Sequence, residues 1–294
     1  MSDTAERRIR ALPCWHGPIT LEPLKGGLSN VSFRVTDEGG RKAVARLGDD
    51  FPFHHVSRER EALTSRAAHA AGLSPRVIHD EPGVLVLEFI DGRTFGEADV
   101  RGNVEACAAL LRRCHRELAR HVLGPAQIFW VFHVLRDYAA TLTRAGHRNR
   151  PMIPGWLRAA ERLEAAQAPL PIVFGHHDLL PTNFLDDGTR LWLIDWEYGA
   201  FGTAMFDLAN IAANASFGRA EEEALLAAYF DGEPGAALRR SFEAMKAASA
   251  LREAMWAMVS ELYLDSPGVD YIAHGDEFVG RFDRLIAAFD RSPS

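Results

Sequence analysis

The chain has 294 residues, and its 47% hydrophobic and 25% charged residues are typical of a soluble globular protein with one bilobal unit or two domains. Its formal net charge of −7 argues against nucleic acid as a partner and favours a neutral or cationic one. No apolar segment approaches membrane-spanning length, the segment MSDTAERRIR lacks the apolar centre of a signal peptide, and the cysteines have no zinc-binding spacing. We therefore expect a cytoplasmic protein with neither a nucleic-acid nor a membrane partner.

The predicted elements change character near residue 91. Alternating apolar residues around a turn predict a hairpin, a helix and a buried strand follow, and helical spacing dominates from Asn103 onward. The main elements are, in chain order, strands 31–36 and 42–47, helix 57–72 with Ser57 as its N-cap and Gly72 as its stop, strand 84–90, and helices that include 236–264. The change predicts an α+β protein with a small β-rich lobe (1–90) and a larger, mostly helical lobe (91–294).

Polar residues interrupt the apolar segment GHHDLLPTNFL (175–185), which contains Asp178 and Asn183. Burying an unpaired carboxylate or amide costs several kcal/mol, so these residues should have a compensating partner. The Asp-Gly pair at 187–188 predicts a hairpin turn. With the turn centred there, Asp195 lies opposite the stretch midway between Asp178 and Asn183. The sequence thus predicts two carboxylates and a carboxamide at the open end of one hairpin.

This set of side chains suits phosphoryl transfer. Carboxylate and amide oxygens suit Mg²⁺, which keeps waters and shares substrate phosphates. A further carboxylate at hydroxyl distance can accept the proton of an alcohol that attacks phosphorus. We predict Asp178 as the base and Asn183 and Asp195 as the ligands of Mg²⁺. The alternative is a loop in which Asp178 and Asn183 only satisfy backbone groups.

The two histidines of this segment are a poor pair for one metal ion, because neighbours in an extended segment point in opposite directions. We assign His176 to the catalytic set, as the residue that positions the loop by hydrogen bonds. His177 is expected to be exposed or to face the substrate.

The stretch HHDLLPTN followed by LIDWE resembles the catalytic and metal-binding segments of the aminoglycoside phosphotransferase and choline/ethanolamine kinase superfamily. The resemblance continues in the family's order from residue 24 to residue 210. It implies a bilobal, protein-kinase-like fold that binds ATP and Mg²⁺ between its lobes.

The same resemblance assigns residues to the nucleotide. Arg46 in AVARL stands where these proteins carry the phosphate-pairing cation, with Lys42 as the fallback. Glu61 on the following helix is its expected partner, with Glu59 as the near alternative. The phosphate-covering loop is assigned Gly26, Gly27, Ser29 and Asn30. The adenine-binding hinge is assigned the backbone from Glu88 to Ile90. Asp207 is the residue expected to brace the catalytic loop.

The acceptor side resembles the choline/ethanolamine kinases in stretches 129–138 and 252–278. A quaternary ammonium donates no hydrogen bonds, so aromatic faces and carboxylates are the groups that stabilise it. Trp256 and Tyr271 are the matching candidates, although Trp256 could equally belong to the helix core. The further candidates are Glu253, Trp196, Glu197 and Phe132. In two departures from the eukaryotic kinases, Glu253 replaces a tryptophan and His274 replaces a second tyrosine.

The resemblance implies an ATP-dependent phosphotransferase that acts on a small cationic alcohol, choline or ethanolamine. One alternative changes the acceptor to an aminoglycoside, thiamine or a sugar. The other is a non-catalytic nucleotide-binding regulatory protein, for which a missing catalytic residue would be the sign, and Asp178, Asn183 and Asp195 are all present.

Overall fold

The first lobe contains a five-stranded antiparallel sheet, in a computed structural model that describes residues 2–24, 30–265 and 268–291. The spatial order is β1-β2-β3-β5-β4. The strands are β1 (Ile19–Leu24), β2 (Val31–Asp37), β3 (Lys42–Leu47), β4 (Val77–Glu81) and β5 (Val84–Glu88). The strands predicted from alternation at 31–36 and 42–47 and from the apolar run at 84–90 are therefore confirmed.

A helix covers each face of this sheet, because alternate strand residues point to opposite sides. Helix α1 (Ser2–Arg10) packs on the face that presents Ala43 and Ala45 of β3. Helix α2 (Arg58–Ala70) packs on the opposite face. Arg46 alternates with the two alanines and therefore points to the side of α2.

Helix α2 agrees with the predicted helix 57–72 to within two residues. Ser57 occupies its N-cap position as expected, but the Ser57 side chain makes no capping hydrogen bond. Gly72 follows the last turn with a φ of +69°, a left-handed conformation that glycine adopts without strain.

The second lobe is mostly helical, with short strands at the edge that faces the sheet. Its helices are α3 (Glu97–Gly102), α4 (Val104–Glu117), α5 (Val131–Arg144), α6 (Ile153–Ala165), α7 (Ala204–Asn214), α8 (Arg219–Phe230), α9 (Ala236–Tyr263) and α10 (Tyr271–Arg291). Its strands are β6 (Arg93–Thr94), β7 (Ile172–Gly175), β8 (Phe184–Asp186), β9 (Leu191–Leu193) and β10 (Ala200–Thr203). The predicted α+β architecture with a β-rich and a helical lobe is confirmed.

Helix α9 is the centre of the large lobe. It packs against α5, α6, α7 and α10, and nearly every residue from 244 to 260 is buried. A helix that is buried on all sides needs apolar or small residues around its whole circumference, which its alanine- and methionine-rich sequence provides. Among the residues that the structure describes, no helix is both long and apolar enough to span a bilayer.

The chain passes from one lobe to the other after β5. Glu88 ends β5 in the first sheet, and β6 pairs with β8 in the second lobe. Between them, Phe89 N donates to Lys42 O at 3.3 Å. We propose that the boundary between the two lobes lies in this connection.

Candidate active site

The hairpin of β8 and β9 brings the polar groups of two segments together, but its register differs from the predicted one. Phe184 pairs with Leu193, so the turn is centred between residues 188 and 189 instead of at 187–188. The Asp187 carboxylate causes the longer turn by accepting hydrogen bonds from the amides of residues 189 and 190. Ile194 N then donates to Asn183 O at 3.0 Å. Asp195 therefore lies beside Asn183 instead of midway between Asn183 and Asp178.

Helix α7 holds the loop that carries Asp178. The buried Asp207 carboxylate accepts hydrogen bonds from His176 N and His177 N, both at 2.8 Å, and lies 2.9 Å from His115 Nε2. Burial alone would raise its pKa, but the hydrogen bond from His115 and the nearby imidazoles hold the pKa of Asp207 well below its ordinary value. One turn along α7, Asn210 Oδ1 accepts from Leu179 N at 2.6 Å. The loop is thus held by one helix face.

The two loop histidines are buried. His176 Nε2 lies 2.9 Å from Ile194 O, which ties the loop to the segment of Asp195. The expectation that His177 is exposed or faces the substrate is wrong: it is fully buried, with its ring stacked on Phe129 at 4.5 Å between centroids. Gly202 makes room for it, since a Cβ there would lie 2.6 Å from His177 Nε2. Both histidines therefore position the loop.

Asp178 is half-buried at the open end of the hairpin. Within the described part of the chain, no group donates a hydrogen bond to its carboxylate. Burial raises its pKa well above the ordinary aspartate value, Arg252 opposes that shift, and Glu253 and Asp195 add to it. Asn183 Nδ2 donates to Asp178 O at 2.8 Å, which orients the Asn183 amide with Oδ1 as its acceptor. Asp178 and Asn183 are thus hydrogen-bonded to each other within one short loop.

Asp195 connects this loop to the small lobe. It has a φ of +68°, a strained conformation for a non-glycine residue that is concentrated at functional sites. Its Oδ1 accepts from Arg46 Nη2 at 2.8 Å. Arg46 Nη1 lies 2.9 Å from Glu61 Oε1, an ion pair without hydrogen-bond alignment. The alternatives are not at the site, because Lys42 is half-exposed beside Asp91 and the side chain of residue 59 is exposed.

A second arginine, which the sequence analysis missed, completes an ion-pair network. Arg58 Nη1 donates to Glu61 Oε2 at 2.7 Å and to Glu197 Oε2 at 2.8 Å. Burial and the nearby Asp195 raise the pKa of Glu197 above its ordinary value. The network contains three carboxylates, Glu61, Asp195 and Glu197, against Arg46 and Arg58. Its excess of negative charge suits a divalent cation.

The remaining positions assigned to the nucleotide belong to the small lobe and to its connection with the large lobe. Glu88 is exposed at the end of β5, and Ile90 is half-buried two residues beyond it. Asn30 Oδ1 lies so close to Gly48 that a Cβ at position 48 would clash with it. Three positions assigned to the phosphate-covering loop, Gly26, Gly27 and Ser29, lie outside the described residues.

The acceptor candidates on α9 and α10 form one cluster. Trp256 is 9% exposed and meets the rings of Tyr271 and His274 at 6.0 and 6.3 Å between centroids. Glu253 Oε1 lies 3.0 Å from His274 Nε2, and its Oε2 accepts from Arg252 Nη1 at 3.0 Å. The two departures from the eukaryotic pattern, Glu253 and His274, are therefore partners of each other.

Three other acceptor candidates do not join this cluster. Trp196 is fully buried beside His176, and its Nε1 donates to Leu193 O at 3.3 Å. Phe132 is fully buried in the core of the large lobe. Glu197 is engaged by Arg58 in the ion-pair network. Trp196 and Phe132 are core residues, so their assignment to the acceptor is wrong.

Comparison with known proteins agrees with this geometry. Residues 20–243 match the model of the APH family, described as a phosphotransferase enzyme family, and the chain belongs to that family. The resemblance to choline/ethanolamine kinases and the protein-kinase-like fold are confirmed by solved structures. A choline/ethanolamine kinase family protein from Mesorhizobium loti has 30% sequence identity and a TM-score of 0.78, covering 99% of this chain and 95% of that one.

Two further proteins are more distant. Choline kinase LicA from Streptococcus pneumoniae has 20% identity and a TM-score of 0.79, covering 98% of this chain and 99% of that one, so it shows the fold alone. A probable ethanolamine kinase from Arabidopsis thaliana is 28% identical over 209 residues, or 65% of this chain. The match spans only 55% of the Arabidopsis protein.

Replacing Asp207 with asparagine is expected to lower the free energy of unfolding by about 3 kcal/mol at pH 7, because buried donors lose a charged acceptor. The pKa of Asp207 is lowered in the folded protein. Its stabilisation is therefore fully present above the unfolded-state pKa, about 4, declines as the pH falls below that value, and is lost once the pH has fallen through the folded-state pKa. Urea unfolding at pH 7 and pH 3 measures both effects. A deficit that is equal at the two pH values would contradict the assignment, and Asp283→Asn on the exposed side of α10 is the control.

Proposed function

We propose that the protein is an ATP-dependent phosphotransferase that moves the γ-phosphate of ATP to the hydroxyl of a small amino alcohol, ethanolamine or choline. The observation that carries this proposal is the convergence of Asp178, Asn183 and Asp195 next to the pair of Arg46 and Glu61. Phosphoryl transfer to an alcohol requires a carboxylate that can accept the hydroxyl proton, an amide oxygen, and a carboxylate held by an arginine.

Mg²⁺ fits the residues that are present. Asn183 Oδ1 and a carboxylate oxygen of Asp195 are hard oxygen ligands, and two protein ligands leave coordination positions for water and phosphate oxygens. The excess of carboxylates over arginines in the adjacent network favours a cation at this place. When bound, Mg²⁺ supplies charge neutralisation on the transferred phosphoryl group.

The protein's own groups have separate tasks in this proposal. Asp178 accepts the proton of the acceptor hydroxyl, and its raised pKa makes it a stronger base than an ordinary aspartate. Arg46 supplies positive charge to the phosphates, and Glu61 holds it in place. Asp207 and His176 keep the loop in the orientation that presents Asp178.

Charge supports an amino alcohol as the acceptor. Asp178, Asp195, Glu197 and Glu253 contribute negative charge around the position of the reacting hydroxyl, and the positive charge of Arg252 offsets only part of it. A protonated amine or a quaternary ammonium on the acceptor would offset part of that charge. The names of the Mesorhizobium and Arabidopsis relatives support the same class of acceptor.

The direct test is ADP release by the purified protein with Mg-ATP, measured against ethanolamine, choline, thiamine, kanamycin and a sugar alcohol. We expect turnover with ethanolamine or choline and none in Asp178→Ala. Turnover only with another member of the panel would refute the amino alcohol while keeping phosphotransfer. ATP binding without turnover on any acceptor would refute the proposal and favour a regulatory nucleotide-binding protein.

A further inference from the structure

A histidine of the small lobe is buried in the large lobe. His54 belongs to a short 3-10 helix (Pro52–His54) that follows β3, and it is 2% exposed. Its Nδ1 lies 3.1 Å from Tyr138 Oη on α5, and its Nε2 lies 2.8 Å from Ser260 Oγ on α9. Its ring stacks on Trp256, with 5.0 Å between centroids and 22° between planes. Both nitrogens and one ring face are thus used in contacts with the large lobe.

His54 is a neutral imidazole in this environment. Burial lowers its pKa to about 2, and the positive charge of Arg252 and the neighbouring His55 act in the same direction. A neutral imidazole has one donor and one acceptor, which match two hydroxyl groups that can each donate or accept. His54 therefore exchanges no proton near neutral pH, and its contacts make it a group that positions others.

The side chain that His54 contacts by its ring face is the leading acceptor candidate. Trp256 is held in two further ways, through a hydrogen bond from its Nε1 to Tyr198 Oη at 3.1 Å and through its ring contact with Tyr271. Tyr198 lies three residues after Asp195, the proposed metal ligand. His54 thus belongs to a connected set that runs from the small lobe through Trp256 to the segment of Asp195.

We propose that His54 is a positioning residue for the acceptor, supplied by the lobe that binds the nucleotide. By stacking on Trp256 and bonding to α5 and α9, it sets the orientation of the indole against which the amino group of the acceptor binds. This inference rests on the proposed function. In that function, His54 is a residue of the small lobe that determines the affinity for the acceptor and leaves the affinity for ATP unchanged.

Three variants test the role of His54. His54→Phe keeps a ring that can stack on Trp256 but loses both hydrogen bonds, whereas His54→Asn loses the stack and can keep at most one of the two hydrogen bonds. The matched control is His55→Asn, because His55 likewise reaches α5, with Nε2 2.8 Å from Asp137 Oδ2. Its φ of +62° is one that asparagine adopts readily. For each variant, kcat, both KM values and Tm are measured with the acceptor that the wild-type protein phosphorylates.

We expect the KM for the acceptor to rise about tenfold in His54→Phe and further in His54→Asn, with the KM for ATP within about twofold of wild type. His55→Asn should keep both KM values. A lower Tm with unchanged KM values, or equal changes in both KM values, would refute the inference and leave a structural role. Failure of the proposed function is seen separately, as a wild-type protein that phosphorylates no acceptor, and it would remove the inference as well.

Discussion

Replacing Asp178 with asparagine should lower kcat by a factor of about 10² to 10⁴, the range that general-base catalysis contributes. Asparagine keeps the size of the side chain and removes its ability to accept the hydroxyl proton. The KM for ATP should change less than kcat, because among the described residues Asp178 forms no hydrogen bond or ion pair with Arg46 or Arg58, beside which the phosphates are proposed to bind. Steady-state kinetics with Mg-ATP and ethanolamine measure both quantities.

The control for this substitution is Asp283→Asn, which makes the same chemical change at an exposed position on α10. It should retain full activity. If Asp178→Asn keeps more than about a tenth of the wild-type kcat, Asp178 is not the base. Calorimetric titration of Asp178→Asn with ATP distinguishes loss of the proton acceptor, which leaves ATP binding intact, from damage to the nucleotide site.

Replacing Asp195 with asparagine is expected to raise the Mg²⁺ concentration needed for half-maximal activity by at least about 10²-fold, since even indirect disturbance of a metal ligand costs 10- to 100-fold. The substitution removes a charged ligand and also the acceptor of the hydrogen bond from Arg46 Nη2. Activity measured over a series of Mg²⁺ concentrations at fixed ATP gives the shift.

Glu61→Gln separates the two effects of the Asp195 substitution. It weakens the ion pair with Arg46 without altering a proposed metal ligand. We expect a higher KM for ATP and a shift in Mg²⁺ dependence much smaller than that of Asp195→Asn, because Glu61 contributes negative charge to the network but is not a proposed ligand. An Mg²⁺ dependence that is the same in Asp195→Asn as in wild type would show that Asp195 holds no metal.

Sequence analysis succeeded where the information is local or carried by a motif. Alternation predicted β2 and β3, and apolar spacing predicted α9, because burial on one face or on all sides imposes those patterns. The pairing of Arg46 with Glu61 followed from the order of motifs, and the structure places the two groups in contact at 2.9 Å. The assignment of catalytic and metal-binding roles remains a prediction that the variants above test.

The residues that were missed make contacts between distant parts of the chain. His54 is separated by 206 residues from its partner Ser260, and His115 is separated by 92 residues from Asp207. The sequence around a histidine carries no local sign of a partner so far along the chain. Arg58 was the one partly visible case, because it stands three residues before Glu61 on a helix, where side chains are neighbours.

The errors have a common physical origin in side-chain direction. Trp196 and His177 lie next to functional segments in sequence, but both point into the core of the large lobe. The hairpin turn is centred one residue later than predicted. The Asp187 carboxylate stabilises a longer turn than the Asp-Gly pair predicts. Proximity in sequence therefore identified the site but not which neighbours face it.

In the proposed reaction, phosphate passes from ATP to an amino alcohol. Phosphorus-31 NMR of the wild-type protein with Mg-ATP and ethanolamine follows this transfer, because a phosphomonoester and inorganic phosphate give separate signals. We predict a phosphomonoester signal that grows as the γ-phosphate signal declines, and that grows at least about 10²-fold more slowly with Asp178→Asn. A decline of ATP that yields only inorganic phosphate, with ethanolamine or choline present, would contradict the proposed reaction.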